Sequence, residues 1–425
     1  MNSRNRRLMR IRYLPFTDLV SEIIDNRGKT CPTSPMGIPL IATNCIKNDA
    51  LYPSYENVRY VTHDTYENWF RGHPTPGDLI FVTKGSPGHV CIAPDPVDFC
   101  IAQDMVSVRA DTSKIYPKYL FAVLRSESVQ HEISNMHVGT LIPHFKKGDF
   151  HKLKLPVPGE KEQIAIGDIY YSISYKIELN RLMNATLEAM ARALFKAWFV
   201  DFEPVHANKE SRPSTSASPE IAKLFPSDFE NGIPKGWHVG TLGEIALNHR
   251  QNIDPGSLDS ETPYVGLEHI PRGSIALTKW GNASEADSTK SSFQTNDILF
   301  GKLRPYFHKV VLAPVDGICS TDVLVVRPKE PIFFGQTLVT FSSDEVVRYA
   351  TQLSNGAKMP RTNWSDLAKF DIPIASNEVA NEFSQFVKAI AEKITGNISE
   401  SKQLEETRDS LLPRLISGAI RTPAT

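Results

Sequence analysis

Several features that would assign a function at once are missing from this chain. Its five cysteines (Cys31, Cys45, Cys91, Cys100 and Cys319) include no CxxC pair, which argues against a disulfide framework and a zinc ribbon and fits free thiols in a reducing compartment. No apolar run reaches the ~18–20 residues that span a bilayer. The basic start, MNSRNRRLMRIRYLPF, has neither an apolar core nor a small-residue cleavage site. No membrane span and no secretory signal is expected, and the cytoplasm is the expected location. Charge of one sign is also absent: 47 basic and 48 acidic side chains leave a net charge of −1. Nucleic-acid binding must therefore rest on local basic clusters or on partner subunits. There is no GxxxxGK[ST] loop, no GxGxxG after a strand and no HExxH, and the twelve histidines fall at no metal-ligand spacing. An NPPY-like tetrapeptide and a convincing nuclease motif are missing too. "PDPVDFC" (Pro94–Cys100) and "KGSPG" at Lys84 read as turns between strands. No catalytic residue and no metal ligand is expected in this chain.

What the chain does have is a repeat. A shift of 217 residues lays Gly139–Phe199 over Gly356–Ile416 without a gap, and twelve of the 61 paired positions are identical, among them Pro143, Asp149, Pro156, Asn180 and Glu188. Composition alone would give roughly three or four. Upstream, "GDLIFVTKGSPGHVCIAPDPVDFCIAQDMVSVRA" from Gly77 resembles "NDILFGKLRPYFHKVVLAPVDGICSTDVLVVRPK" from Asn296. Two copies are too few for a solenoid and point to a pseudo-twofold pair of globular units. Within each copy, "DLIFV", "VSVRA", "DILFG" and "DVLVVRP" predict strands. Lys118–Gln130 and Gly335–Gln352 predict helices. The expected fold class is mixed α/β (α+β). Between the copies, "ANKESRPSTSASPE" cannot build a core and reads as a flexible connector.

Each copy ends in a long amphipathic segment. Ile166, Ile173, Ile177, Asn180, Asn184, Leu187, Ala191, Leu194 and Trp198 follow a 3–4 spacing, and Phe383, Ile390, Ile394, Asn397, Ser401, Leu404, Arg408, Leu411 and Leu415 do the same. This seam predicts coiled-coil pairing of the two helices, with Asn180 and Asn397 at one matching polar position that fixes register. Met190, Phe195, Phe199 and Phe202 lie beyond the seam. They predict a further helical partner, with packing on the chain's own domains as the alternative.

At these residues the chain resembles the specificity (S) subunits of Type I restriction–modification enzymes. "KIELNRLMNATLEAMARALFKAWFVDFEPV" is similar to their central conserved region, and "GTLIPHFKKGDFHKLKLPVP" and "NGAKMPRTNW…LAKFDIPIA" look like the ends of their target-recognition domains. The resemblance implies a first recognition domain at 1–159, a central long helix at 160–206, a linker at 207–232, a second recognition domain at 233–375 and a C-terminal helix with its tail at 376–425. It also implies two recognition domains held by an antiparallel coiled coil that sets the unread spacer of an asymmetric bipartite site. The implied partners are double-stranded DNA, two modification (methyltransferase) subunits and two restriction (endonuclease and translocase) subunits, with no membrane. S-adenosylmethionine, ATP and Mg2+ would be used by those other subunits and none by this chain. A stand-alone or orphan DNA-binding protein and a non-DNA scaffold are the alternatives.

The candidate DNA contacts are loop tips: Lys84, Ser86, His89, His144, Lys146 and Lys147 in the first copy, and Lys302, Arg304, Tyr306, Lys358, Arg361 and Asn363 in the second. Lys and Arg neutralise phosphates, while Arg and Asn also pair with base edges. His144/Arg361 and Lys302/Arg304 rank highest because matching loops carry them. Arg4, Arg6, Arg7, Arg10 and Arg12 could form a DNA-seeking arm or a frayed terminus. The candidate coiled-coil and partner-subunit residues are Ile173, Ile177, Asn180, Leu187, Met190, Leu194, Phe195, Trp198, Phe199, Ile390, Ile394, Asn397, Leu404, Leu411 and Leu415.

Overall fold

The computed structural model describes residues 11–26, 29–136, 142–354 and 359–420. Arg4, Arg6, Arg7, Arg10, Gly139, Gly356 and Lys358 lie outside them. The chain divides into two compact units. One runs up to Leu179 and takes in the chain from Gln403 onward; the other is Asn180–Lys402. Each unit thus holds one sheet-containing domain and one stretch of each long helix.

In the first unit an antiparallel four-stranded sheet has the order Val20–Asp25, Met105–Ala110, Leu79–Val82, Val90–Ile92. A three-stranded sheet places Ile38–Ile41 between Arg59–Val61 and Cys100–Ile101, the latter parallel to it. Residues Leu79–Val82 are buried on both faces, which is why "LIFV" reads as a continuous apolar run. Arg12–Pro15 pairs with Lys154–Val157, and Pro156 is tolerated because this ladder has only two strands. The core gathers Phe16, Phe81, Phe145 and Phe150, with Phe145 and Phe150 stacked at 5.0 Å.

The second unit repeats this plan. Its four-stranded sheet runs Ala246–Asn248, Val323–Pro328, Ile298–Gly301, Val310–Leu312. Pro263–Val265 lies parallel to Gly317–Cys319 in a five-stranded sheet, and His238–Thr241 pairs with Asp371–Ile374. One polar device is common to both sheets. Arg109 forks onto the buried Asp78, with both bonds at 2.9 Å, and Arg327 forks onto the buried Asp297 at 2.7 and 2.8 Å. A buried carboxylate needs such a partner, and a bidentate guanidinium satisfies both of its oxygens. The two predicted helical stretches each break once, at Ser126 and at Ser342–Ser343. Ser343 there accepts from the Val346 amide as the cap of Asp344–Gln352.

The long helices are Glu160–Phe195 and Asn377–Ile416. The first continues as a π-helical turn, Lys196–Val200. Inside the second unit they run antiparallel: Asn180 meets Ser401, Asn184 meets Asn397, and Phe195 meets Phe383. The two seam asparagines are related as the repeat predicts. The Asn180 amide donates to Ser401 Oγ at 3.2 Å and Glu400 Oε2 at 2.9 Å, while the Asn397 amide donates to Asn184 Oδ1 at 2.8 Å. A 217-residue shift exchanges the pair 180/401 with 397/184, so the seam has its own local twofold. Ile390, Ile394 and Leu415 are buried, and Ile173, Ile177, Leu187, Leu194, Phe195, Leu404 and Leu411 are half-buried. Leu411, Leu412 and Leu415 join the first unit's core with Ile166 and Tyr170.

Two expectations need correction. Phe199 needs no further helical partner: it is buried on Phe383 and Trp237 of the same unit, the alternative packing on the chain's own domain, while Trp198 packs across the seam on Phe383 and on Phe225. Beside the seam residue Leu187, Glu188 is 3% exposed, accepts from Ser274 Oγ at 2.7 Å and the Ile275 amide at 3.2 Å, and pairs with Arg192. The Ser/Pro-rich stretch after the central helix is not a loose connector. Glu203 accepts from Arg212 Nη1, Ser214 Oγ, the Thr215 amide and Ser216 Oγ, at 2.5–3.0 Å. The Asn208 amide donates to the carbonyls of Ala222 and Phe225, and Trp198 Nε1 donates to that of Ser216. Serine-rich chain folds here because a carboxylate takes up its donors. Burial alone would raise the pKa of Glu203, but these donors outweigh it and bring it down to about 2.

Candidate nucleic-acid interface

The two loops that the sequence singles out in each copy are brought together by backbone hydrogen bonds. In the first unit the hairpin tip between Leu79–Val82 and Val90–Ile92 meets the segment before Lys147: Gly85 N donates to Pro143 O at 2.9 Å, Phe145 N donates to Thr83 O at 2.8 Å, and Lys84 and His144 form a β-bridge. Gly85 and Gly88 have φ of +90° and +94°, which turns the hairpin tightly at no steric cost. In the second unit Arg304 N donates to Pro360 O at 2.8 Å, Thr362 N donates to Lys302 O at 3.1 Å, and Leu303 bridges to Arg361. Here no glycine is available, and Arg304 itself takes the left-handed conformation, φ +51°.

The side chains on these frames differ. On the first, Lys84 is half-exposed and lies 4.0 Å from Asp104, while Ser86 and Lys146 are exposed. His144 is half-buried beside Lys84. Lys147 pairs with Asp25, which also holds Arg71 at 2.9 Å. The hydrogen bond from Lys147 is the main reason that the Asp25 carboxyl sits below its ordinary pKa. His89 turns inward, its Nδ1 3.3 Å from the Ile46 carbonyl oxygen. On the second frame, Tyr306 is half-exposed with its ring 4.8 Å from Phe307, and Lys302 and Arg304 are half-buried. Arg361 forks onto Asp322, Nε to Oδ1 at 3.0 Å and Nη2 to Oδ2 at 3.3 Å.

Asn363 has a local structural role. Its Oδ1 accepts from the Asp366 amide at 2.9 Å and from Ser365 Oγ at 2.6 Å, and its amide donates to Asp366 Oδ2 at 2.7 Å. It caps Trp364–Leu367. Sequence reading missed the carboxylates Asp25, Asp104 and Asp322 that hold the basic tips, and Arg71 beside Lys147. The one signal was that Asp104 and Asp322 stand at matching places before "MVSVRA" and "VLVVRP". Among the described residues no group of three His, Cys, Asp or Glu could hold a metal ion, and no helix is long and apolar enough to cross a membrane.

Comparison with known proteins gives this geometry a context. Residues 21–189 match the family model described as the Type I restriction modification DNA specificity domain. The chain is 24% identical over 363 residues to the MjaIX specificity subunit of Methanocaldococcus jannaschii, covering 81% of this chain and 78% of the relative. It is 25% identical over 411 residues to the HindI specificity subunit of Haemophilus influenzae, covering 81% and 86%. The crystal structure of the Type I restriction–modification S subunit from M. genitalium aligns over 98% of both chains, with a TM-score of 0.53 and 16% identity, so the fold is shared.

Proposed function

Because the chain is a relative of the Type I restriction–modification specificity subunits, we propose that it is the DNA-reading, non-catalytic subunit of such an enzyme. Each unit reads one half of a bipartite site with its paired loops. The observation that carries this reading is the recurrence of one loop frame, at 83–85 with 143–145 and at 302–304 with 360–362, dressed with different basic side chains. Equal frames with unequal side chains suit two different half-sites. Within this reading, 1–159 and 233–375 are the recognition domains, 160–206 and 376–425 are the helical frame, and 207–232 is the connection. Helices of 36 and 40 residues run about 54 and 60 Å. That is about one and a half turns of B-DNA at ~34–36 Å per turn, enough to set an unread spacer.

The same subunit docks modification subunits, which bring S-adenosylmethionine chemistry, and restriction subunits, which use ATP and Mg2+. In support of docking, the central helix exposes Met183 and Met190, seven residues apart on one face, with Leu182 exposed beside them. Modified-base sequencing of host DNA with the gene intact and deleted tests the proposal. A bipartite methylated motif present only with the gene is the expected result, and indistinguishable methylation would contradict it.

A further inference from the structure

We propose that the second unit reads a guanine through Arg361, and that Asp322 is the positioning residue that aims it. This rests on the DNA-reading function proposed above. The protein has two kinds of Asp–Arg fork. Asp78–Arg109 and Asp297–Arg327 occur in both units with carboxylates only 3% and 4% exposed, so they belong to the common frame. Asp322–Arg361 is different. Its side chains are 25% and 47% exposed, and it sits on the loop frame itself. In the first unit the counterpart of Arg361 is His144, and the matching carboxylate, Asp104, lies beside Lys84 from the other loop, a point charge on a flexible stem. An exposed ion pair adds little to stability, so a forked pair at the loop tip, present in one copy alone, calls for another role.

The donor count supplies it. A guanidinium has five N–H groups in a fixed plane. The carboxylate takes the Nε and one Nη2 hydrogen, which leaves the Nη1–Nη2 end with parallel N–H groups pointing away from Asp322. That end matches the O6 and N7 acceptors of guanine in the major groove, the commonest specific contact between protein and DNA. The backbone at the same residue is held by the Leu303–Arg361 bridge and by Thr362 N on Lys302 O. Main chain and guanidinium are therefore both fixed before DNA arrives, which lowers the cost of binding in one orientation. Lys302, half-buried on the same frame, suits a neighbouring phosphate.

The test uses the full chain purified with its modification subunit and a library of DNA duplexes randomised over both half-sites. The wild-type complex should select a bipartite motif. Asp322→Asn and Arg361→Lys should each lower the preference for a single guanine roughly tenfold or more, leave the other half-site unchanged, and add no further loss when combined. Arg361→Lys keeps the charge and changes only a surface side chain, so it carries the test if Asp322→Asn fails to fold. A wild-type motif with the same base preferences in both variants, or a loss of binding spread evenly over all sequences, would overturn the aiming role alone. Selection of no motif by the wild-type complex would overturn the DNA-reading function with it.

Discussion

At the scale of single residues, the carboxylates organise this chain. Glu203 gathers four donors from a serine-rich segment, and its depressed pKa sets a pH signature. Between about 2 and 4.5 the unfolded chain binds the proton that the folded chain refuses. Its contribution to stability is therefore complete above about pH 4.5 and is lost as the pH falls toward 2. Urea unfolding followed from pH 3 to pH 7 should show Glu203→Gln destabilised by about 2 kcal/mol at neutral pH, with a shallower acid slope than the parent. Equal acid slopes would refute the role of Glu203. None of this was legible in the sequence: "ANKESRPSTSASPE" has the composition of a loose connector, and nothing local announces that a carboxylate four residues upstream will take up its hydroxyl groups. Asp322 was hidden for a similar reason, since 39 residues separate it from Arg361.

At the scale of elements, the long helices were the most legible part of the chain. Their 3–4 spacing and the matched asparagines follow from the repeat alone, and the seam places Asn180 and Asn397 as expected. The exception is Glu188, because a glutamate beside a seam leucine reads as solvated charge until a loop arrives to bond it. The asparagine network makes a specific prediction. Asn397→Leu leaves Asn184 buried without its partner and should cost about 1–3 kcal/mol, while Asn184→Leu with Asn397→Leu should recover most of that loss. Thermal unfolding of the two singles and the double decides it, and additive losses would argue against the pairing. On the exposed flank of the central helix, Met190→Glu is expected to change stability by about 0.5 kcal/mol or less. The same substitution should abolish co-purification of a modification subunit; undiminished co-purification would remove the docking face from the account.

At the scale of the whole molecule, the central claim is that two copies of one frame read two half-sites independently, with the helices setting what lies between. The repeat was visible as a sequence shift, and the strands at Leu79–Val82 and Ile298–Gly301 as apolar runs. The meeting of each hairpin tip with a segment some 60 residues later was not, because only the folded sheet brings them together. Two helical turns, seven residues, added to both long helices should lengthen the spacer and leave both half-sites unchanged. An unaltered spacer in an active variant would end the ruler idea. The most direct measurement is modified-base sequencing of host DNA in strains that carry the parent gene, Lys84→Ala with His144→Ala, or Arg361→Ala. The account predicts a bipartite motif in which the first variant relaxes one half and the second variant relaxes the other. Variants that relax the same half, or both halves together, would contradict it.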